Sequence, residues 1–213
     1  MENEFNGKTI GRWALVFGLF SILFYFLHDI IGAQHYPGYE WMRQAVSDLT
    51  ATDAPSFAVA SGYSNVYHIF CCLCSAFLCI LVRNERKVFK AGIYLFSLMN
   101  AVSAIGYSLF PLSGSGYDGS AQSFVHVYVI TILVVFLSII SLILIAIGSF
   151  KNKRRLLGIL SIAALFCMFF GAAGSAAMPK EIFGVIERFS TYSAVIFTGV
   201  LGVYGFLRYK KEV

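Results

Sequence analysis

The chain has 213 residues, 58% of them hydrophobic and 13% charged, with a formal net charge of +5 and a mean hydropathy of +0.75. Soluble domains carry about 45–50% apolar and about 25% charged residues, so this composition excludes a disordered chain, a fibrous one and a basic nucleic-acid-binding domain, and it argues against a soluble enzyme. A membrane crossing takes ~20 apolar residues, so the length suits six spans joined by short loops.

The first apolar run covers about 9–33. It is longer than the ~7–15 residues of a signal-peptide core, and no A-x-A site follows it. It reads as an uncleaved span, with His28 and Asp29 near its outer end on different helix faces. Residues 34–55 are the longest connection. Tyr39, Met42, Val46 and Leu49 repeat there at helical spacing beside Trp41, which predicts a short helix lying on the outer surface. Asp53 reads as the N-cap of the next helix, with Pro55 in its first turn, and Ser47-Asp48 as a second capping pair.

The second run covers about 56–82. Ser61, Asn65 and His68 share one face as a descending polar stripe, with His68 ~18 Å deep at 1.5 Å per residue. The third run, about 91–112, carries Tyr107 near its outer end, and the fourth, about 123–149, carries His126 near its outer start. Between them Gly114-Ser-Gly-Tyr-Asp-Gly119 spells G-x-G-x-x-G, but it follows a membrane helix and not a strand. A dinucleotide site is therefore excluded and a flexible turn expected. The fifth run covers about 156–177, and the sixth, about 189–208, follows Glu187 and Arg188. Gly171 and Gly174 on the fifth run, and Gly199, Gly202 and Gly205 on the sixth, are expected to let helices pack closely. Cys71, Cys72, Cys74, Cys79 and Cys167 all lie inside apolar runs, so no disulfide is expected.

The fold class is thus all-α: a single domain, 1–213, forming a bundle of six transmembrane helices. Charge placement orients it. One side of the membrane takes Lys8, Arg12, the second and fourth connections and the C-terminal Arg208, Lys210 and Lys211, which is 13 of the 16 basic residues. By the positive-inside rule that side, with both termini, is cytoplasmic, and the protein is a multi-pass protein of the cell membrane. Glu2, Glu4, Glu85 and Glu212 share that side, whereas the other seven acidic residues lie at the outer face.

Tyr36-Pro-Gly-Tyr39, then Val46-Ser-Asp-Leu-Thr-Ala51, then Asp53-Ala-Pro55, resemble the signature of the bacterial membrane family called domain of unknown function 998. Phe110-Pro111, His126 and Gly184-Val-Ile-Glu187-Arg188 follow in the same order, so the resemblance runs over almost the whole chain. It implies a six-helix membrane protein and no particular activity.

Ionisable groups inside a span are costly and therefore functional candidates. His28, Asp48 and His126 are the candidate catalytic set, the histidines as general acid and base and Asp48 as their orienter. Asp29, Ser47, Asn65, His68, Tyr107, Glu187 and Arg188 are candidate binding residues, with Arg188 expected to pair with Asp48 or Asp29. His28 and His126 with Asp48 or Asp29 also have the composition of a zinc site, although His68 lies ~10 Å too deep to join them. No metal ligand is assigned, and the cofactor stays open. The reading that follows is binding or modification of a lipid or amphipathic molecule in an outward-facing polar pocket, with membrane lipids as partners and no nucleic acid or nucleotide. The alternatives are a transporter or channel using the polar stripe, and a non-catalytic membrane component.

Overall fold

The structure, a computed structural model, describes residues 7–209; Glu2, Glu4, Lys210, Lys211 and Glu212 lie outside them. Six helices are long and apolar enough to cross a membrane, and among the described residues there are no strands. They are α1 (Gly7–Gln34), α2 (Phe57–Leu81), α3 (Lys87–Leu109), α4 (Ala121–Lys151), α5 (Arg155–Ala177) and α6 (Phe183–Tyr209). Each packs on the next, α6 returns to α1, and α2 touches α6 across the middle. Large apolar side chains such as Phe136, Phe166 and Leu156 point outward. Helices apolar all round belong in lipid.

Five of the six helices are longer than the sequence spacing predicts, chiefly where charge masks their ends, and α2 is two residues shorter. α6 starts at Phe183 and not near 189, because Arg188 is neutralised within the bundle and the helix runs on through it. α4 starts at Ala121, capped by Ser120, whose Oγ accepts the Ser123 N–H at 3.1 Å. Its second turn, Val125–Thr131, is a π-helical stretch. Such wide turns are rare and collect at functional sites.

The 35–56 connection departs furthest from expectation. No surface α-helix forms. Tyr36-Pro-Gly-Tyr39 closes a tight turn, with Gly38 at φ 78° and the Tyr39 N–H donating to the Tyr36 carbonyl. Proline followed by a positive-φ glycine is the chemistry of a type II turn. Val46–Thr50 then forms a 3₁₀ turn that buries Val46 and Leu49, and residues three apart share a face in that geometry. Asp53 does not cap α2. Two further turns intervene, the helix starts at Phe57, and the Ser56 hydroxyl donates to the Leu49 carbonyl and not to the helix.

Glycine sets the approach of α1 to α6. A Cβ on Gly202 would sit 2.7 Å from the Ala14 carbonyl oxygen, and one on Gly11 would sit 2.9 Å from that of Gly205. Close backbone contact is how helices associate without a hydrophobic drive. Gly202→Val is therefore expected to lower thermal stability in detergent by about 1–3 kcal/mol, the usual overpacking cost. Gly62 on α2 has open space around it, so Gly62→Ala is the control, neutral or stabilising by about 0.4–1 kcal/mol.

Candidate functional site

The functional groups gather at the end of the bundle that carries the 35–56 connection. Arg188, on α6, is 5% exposed and organises it. Its Nε and Nη2 donate to the two oxygens of Asp29 on α1, at 2.9 and 2.8 Å. This is the bidentate geometry in which charge-assisted bonds are strongest. Nη2 also donates to the Tyr39 hydroxyl at 2.9 Å. Nη1 donates to the carbonyls of Trp41, Gly184 and Gln44, at 2.8, 2.8 and 3.1 Å. All five guanidinium hydrogens are used. The expectation that Arg188 pairs with Asp48 or Asp29 resolves to Asp29.

Two tyrosines complete this clamp, and sequence reasoning missed both. Tyr192, one turn beyond Arg188, donates its hydroxyl to Asp29 Oδ2. Tyr39 donates to the Ala45 carbonyl at 2.8 Å while accepting from Arg188. Burial raises the Tyr39 phenol, which keeps the proton that this bond requires. The signals were present: the i+4 spacing of Tyr192, and a Pro-Gly turn that aims Tyr39 at the bundle. Gly184, one turn before Arg188, lets the loop close over α6, since a Cβ there would collide with the Gln44 and Trp41 carbonyls.

Asp48 fastens the loop to its neighbour. Oδ2 accepts the Ala45 N–H at 3.0 Å and Oδ1 accepts the Gly116 N–H at 2.8 Å. Gly116 presents that N–H at φ 73°, so the glycine-rich turn serves as a latch. Burial raises the Asp48 carboxyl above the ordinary range, against the pull of those two N–H groups. Ser47, beside it, is half-buried and offers its carbonyl to Thr50.

The other candidates are dispersed. His126 donates from Nδ1 to the Phe110 carbonyl at 2.7 Å, and its ring lies 4.8 Å from that of Tyr107. The carbonyl can only accept, so Nδ1 carries a proton. Tyr107 donates to Thr131, which donates to the His126 carbonyl, so the π turn and the end of α3 are tied together. His28 is buried, with neither ring nitrogen hydrogen-bonded among the described residues; its ring lies 5.7 Å from that of Tyr25, and it acts electrostatically on His68. His68 is thus within electrostatic reach of His28 despite its depth. The Cα–Cβ bonds lean toward each helix's N-terminus. In the antiparallel pair α1–α2 the two side chains therefore lean toward one another. Asn65 is exposed, so the Ser61–Asn65–His68 stripe lines no shared interior path. Glu187 is within electrostatic reach of Arg188, Tyr25 and Tyr107, and accepts one long bond, from the Val46 N–H at 3.5 Å.

No hydrogen bond among the described residues joins His28, Asp48 and His126. Nor do three His, Cys, Asp or Glu side chains among them stand close enough to hold a metal ion. The zinc set considered from sequence is not assembled: His126 is tied to Phe110, and Asp48 to backbone N–H groups.

Beside the clamp lies a cavity of about 640 Å³ between α1, α5 and α6. Asp29, Arg188, Tyr192 and Ser193 form its polar wall, and Trp41 of the loop covers one end. Ile30, Phe189 and Ile196, all exposed on the bundle surface, line its mouth. His28, Glu187 and His126 are not part of its lining.

A family model described as a protein of unknown function, DUF998, matches residues 19–204. The chain belongs to the DUF998 family. No curated protein and no solved structure matches it. The matched range holds the whole clamp, the Asp48 latch and the groove, so in this DUF998 chain the site is part of the family's own region.

Removing either member of a buried ion pair strands the other, at ~3–5 kcal/mol. Asp29→Leu and Arg188→Met should each lose about that much thermal stability. The double variant should recover part of it and no more, because the Trp41, Gln44 and Gly184 carbonyls still lose their donor. Asp48→Asn places an NH₂ against one of two backbone N–H groups, at ~1–3 kcal/mol. It is expected to speed hydrogen exchange at the Gly116 amide.

Proposed function

We propose that this DUF998 protein binds an amphipathic molecule, a membrane lipid, in the groove between α1, α5 and α6. The observation that carries the reading is the cavity itself. At about 640 Å³ it falls inside the ~300–1,000 Å³ range of ligand pockets. Its mouth opens sideways through Ile30, Phe189 and Ile196, where a chain enters from lipid without crossing water. Its lining includes a charged pair, and an apolar trough with a polar wall matches an amphipathic ligand. The charge asymmetry supports a cell-membrane protein with both termini cytoplasmic, which makes the ligand one of the outer leaflet. The proposal is one of binding and assigns no reaction to His28, Asp48 or His126.

Ile196→Trp tests it, because Ile196 lines the groove two turns beyond Arg188 and is exposed, with no bond to the clamp. Lipid retained by the purified protein, measured by native mass spectrometry, is expected to fall while the melting temperature holds. Unchanged retention in a folded variant overturns the reading.

A further inference from the structure

We propose that the groove takes a lipid with an uncharged, hydroxyl-bearing head, an acylglycerol or a long-chain alcohol. This rests on the reading of the groove as a lipid site and names the chemistry of its ligand.

Arg188 is the cation on the groove wall, and by charge alone it suggests an anionic head such as a phosphate. Its donors exclude that. The Nε hydrogen and one Nη2 hydrogen go to Asp29, the other Nη2 hydrogen goes to Tyr39, and both Nη1 hydrogens go to carbonyls of the loop and of Gly184. A phosphate would have to displace Asp29 or lift the loop from the bundle to reach a guanidinium hydrogen. Asp29 lines the same wall and repels it. The pair is electrically balanced, so the groove offers an ion of either sign little net attraction.

The remaining capacity at this wall is nearly all acceptor. Tyr192 spends its hydroxyl hydrogen on Asp29 and Ser193 spends its own on the Ser190 carbonyl, so each keeps lone pairs only. Asp29 Oδ1 accepts a single bond among the described residues. The donor left over is the indole N–H of Trp41, which bonds to no group among them, apart from the weak thiol donor of Cys167. A hydroxyl group both donates and accepts. It satisfies a spare oxygen on the wall and takes the Trp41 hydrogen without importing a charge into an apolar trough. A fully ionised phosphate headgroup has only acceptors and meets oxygens it cannot bond.

Cys167 lies in the groove lining, while Cys72 and Cys79 lie on α2, so the thiols report on occupancy. The full-length protein is placed in phosphatidylcholine nanodiscs doped in turn with dioleoylglycerol, dioleoylphosphatidate or oleylamine. The rate of N-ethylmaleimide addition at each cysteine is read by peptide mass spectrometry. Dioleoylglycerol is expected to slow Cys167 several-fold and to leave Cys72 and Cys79 unchanged, with no slowing by the other two. Protection by dioleoylphosphatidate, which has the same chains, as strong as that by dioleoylglycerol overturns the uncharged head and leaves the lipid site standing. Equal protection by oleylamine does the same. Protection by none of the three overturns both the inference and the lipid reading.

Discussion

A guanidinium inside a membrane bundle imposes two requirements. Its charge needs a counter-ion, and its five hydrogens need acceptors, because no bulk water supplies them. In this protein Asp29 meets the first requirement and part of the second. The rest comes from the carbonyls of Trp41, Gln44 and Gly184 and from the Tyr39 hydroxyl. One side chain therefore ties the 35–56 connection to both α1 and α6, beside the Gly184 and Val185 N–H groups, which donate to the Met42 carbonyl. Its other features follow: the tight turn at Gly38 that aims Tyr39, the bare Gly184 that lets the loop approach, and the 3₁₀ turn whose Val46 and Leu49 seal the interior.

Such a clamp adds geometry more than stability. A buried ion pair recovers little beyond its desolvation cost, whereas breaking it is expensive. The clamp holds α1 and α6 in one relation at the loop end, while glycines bring the same two helices together further along, at Gly11, Gly202 and Gly205. With α1 and α6 so held, the space beside them against α5 persists as a groove. A saturated Arg188 also changes how that groove reads. The same residue with one free hydrogen would be an anion site, and here it is a neutral wall.

Several elements were legible in the chain before any coordinates. Six apolar runs and their spacing needed only local composition, because a lipid-exposed helix announces itself residue by residue. Gly199, Gly202 and Gly205 announced a close crossing, and at Gly202 and Gly205 the crossing is backbone against backbone with α1. The start of α6 was hidden because Glu187 and Arg188 look like a loop to a hydropathy reading, and only a partner 159 positions away makes Arg188 tolerable in a helix. The surface helix expected at 39–49 was lost to the same clamp, which draws its carbonyls inward. Asp48 and Asp53 both had helix-cap patterns. Asp48 does cap its own 3₁₀ turn, through the Ala45 N–H, but it also bonds Gly116 across 68 positions, and Asp53 caps nothing and lies beside Gly114.

The amino-acid sequence by itself determined that this is a six-helix membrane protein, which end of the bundle collects the acids and histidines, and which residues had no membrane-insertion reason to exist. Those properties are sums over local segments. Tertiary structure alone decided the partners: Arg188 with Asp29 and not Asp48, His126 tied to Phe110, and the groove lined by residues of three helices and a loop. Pairing depends on helix rotation and on the lean of side chains along antiparallel axes. Neither is set until the whole bundle closes.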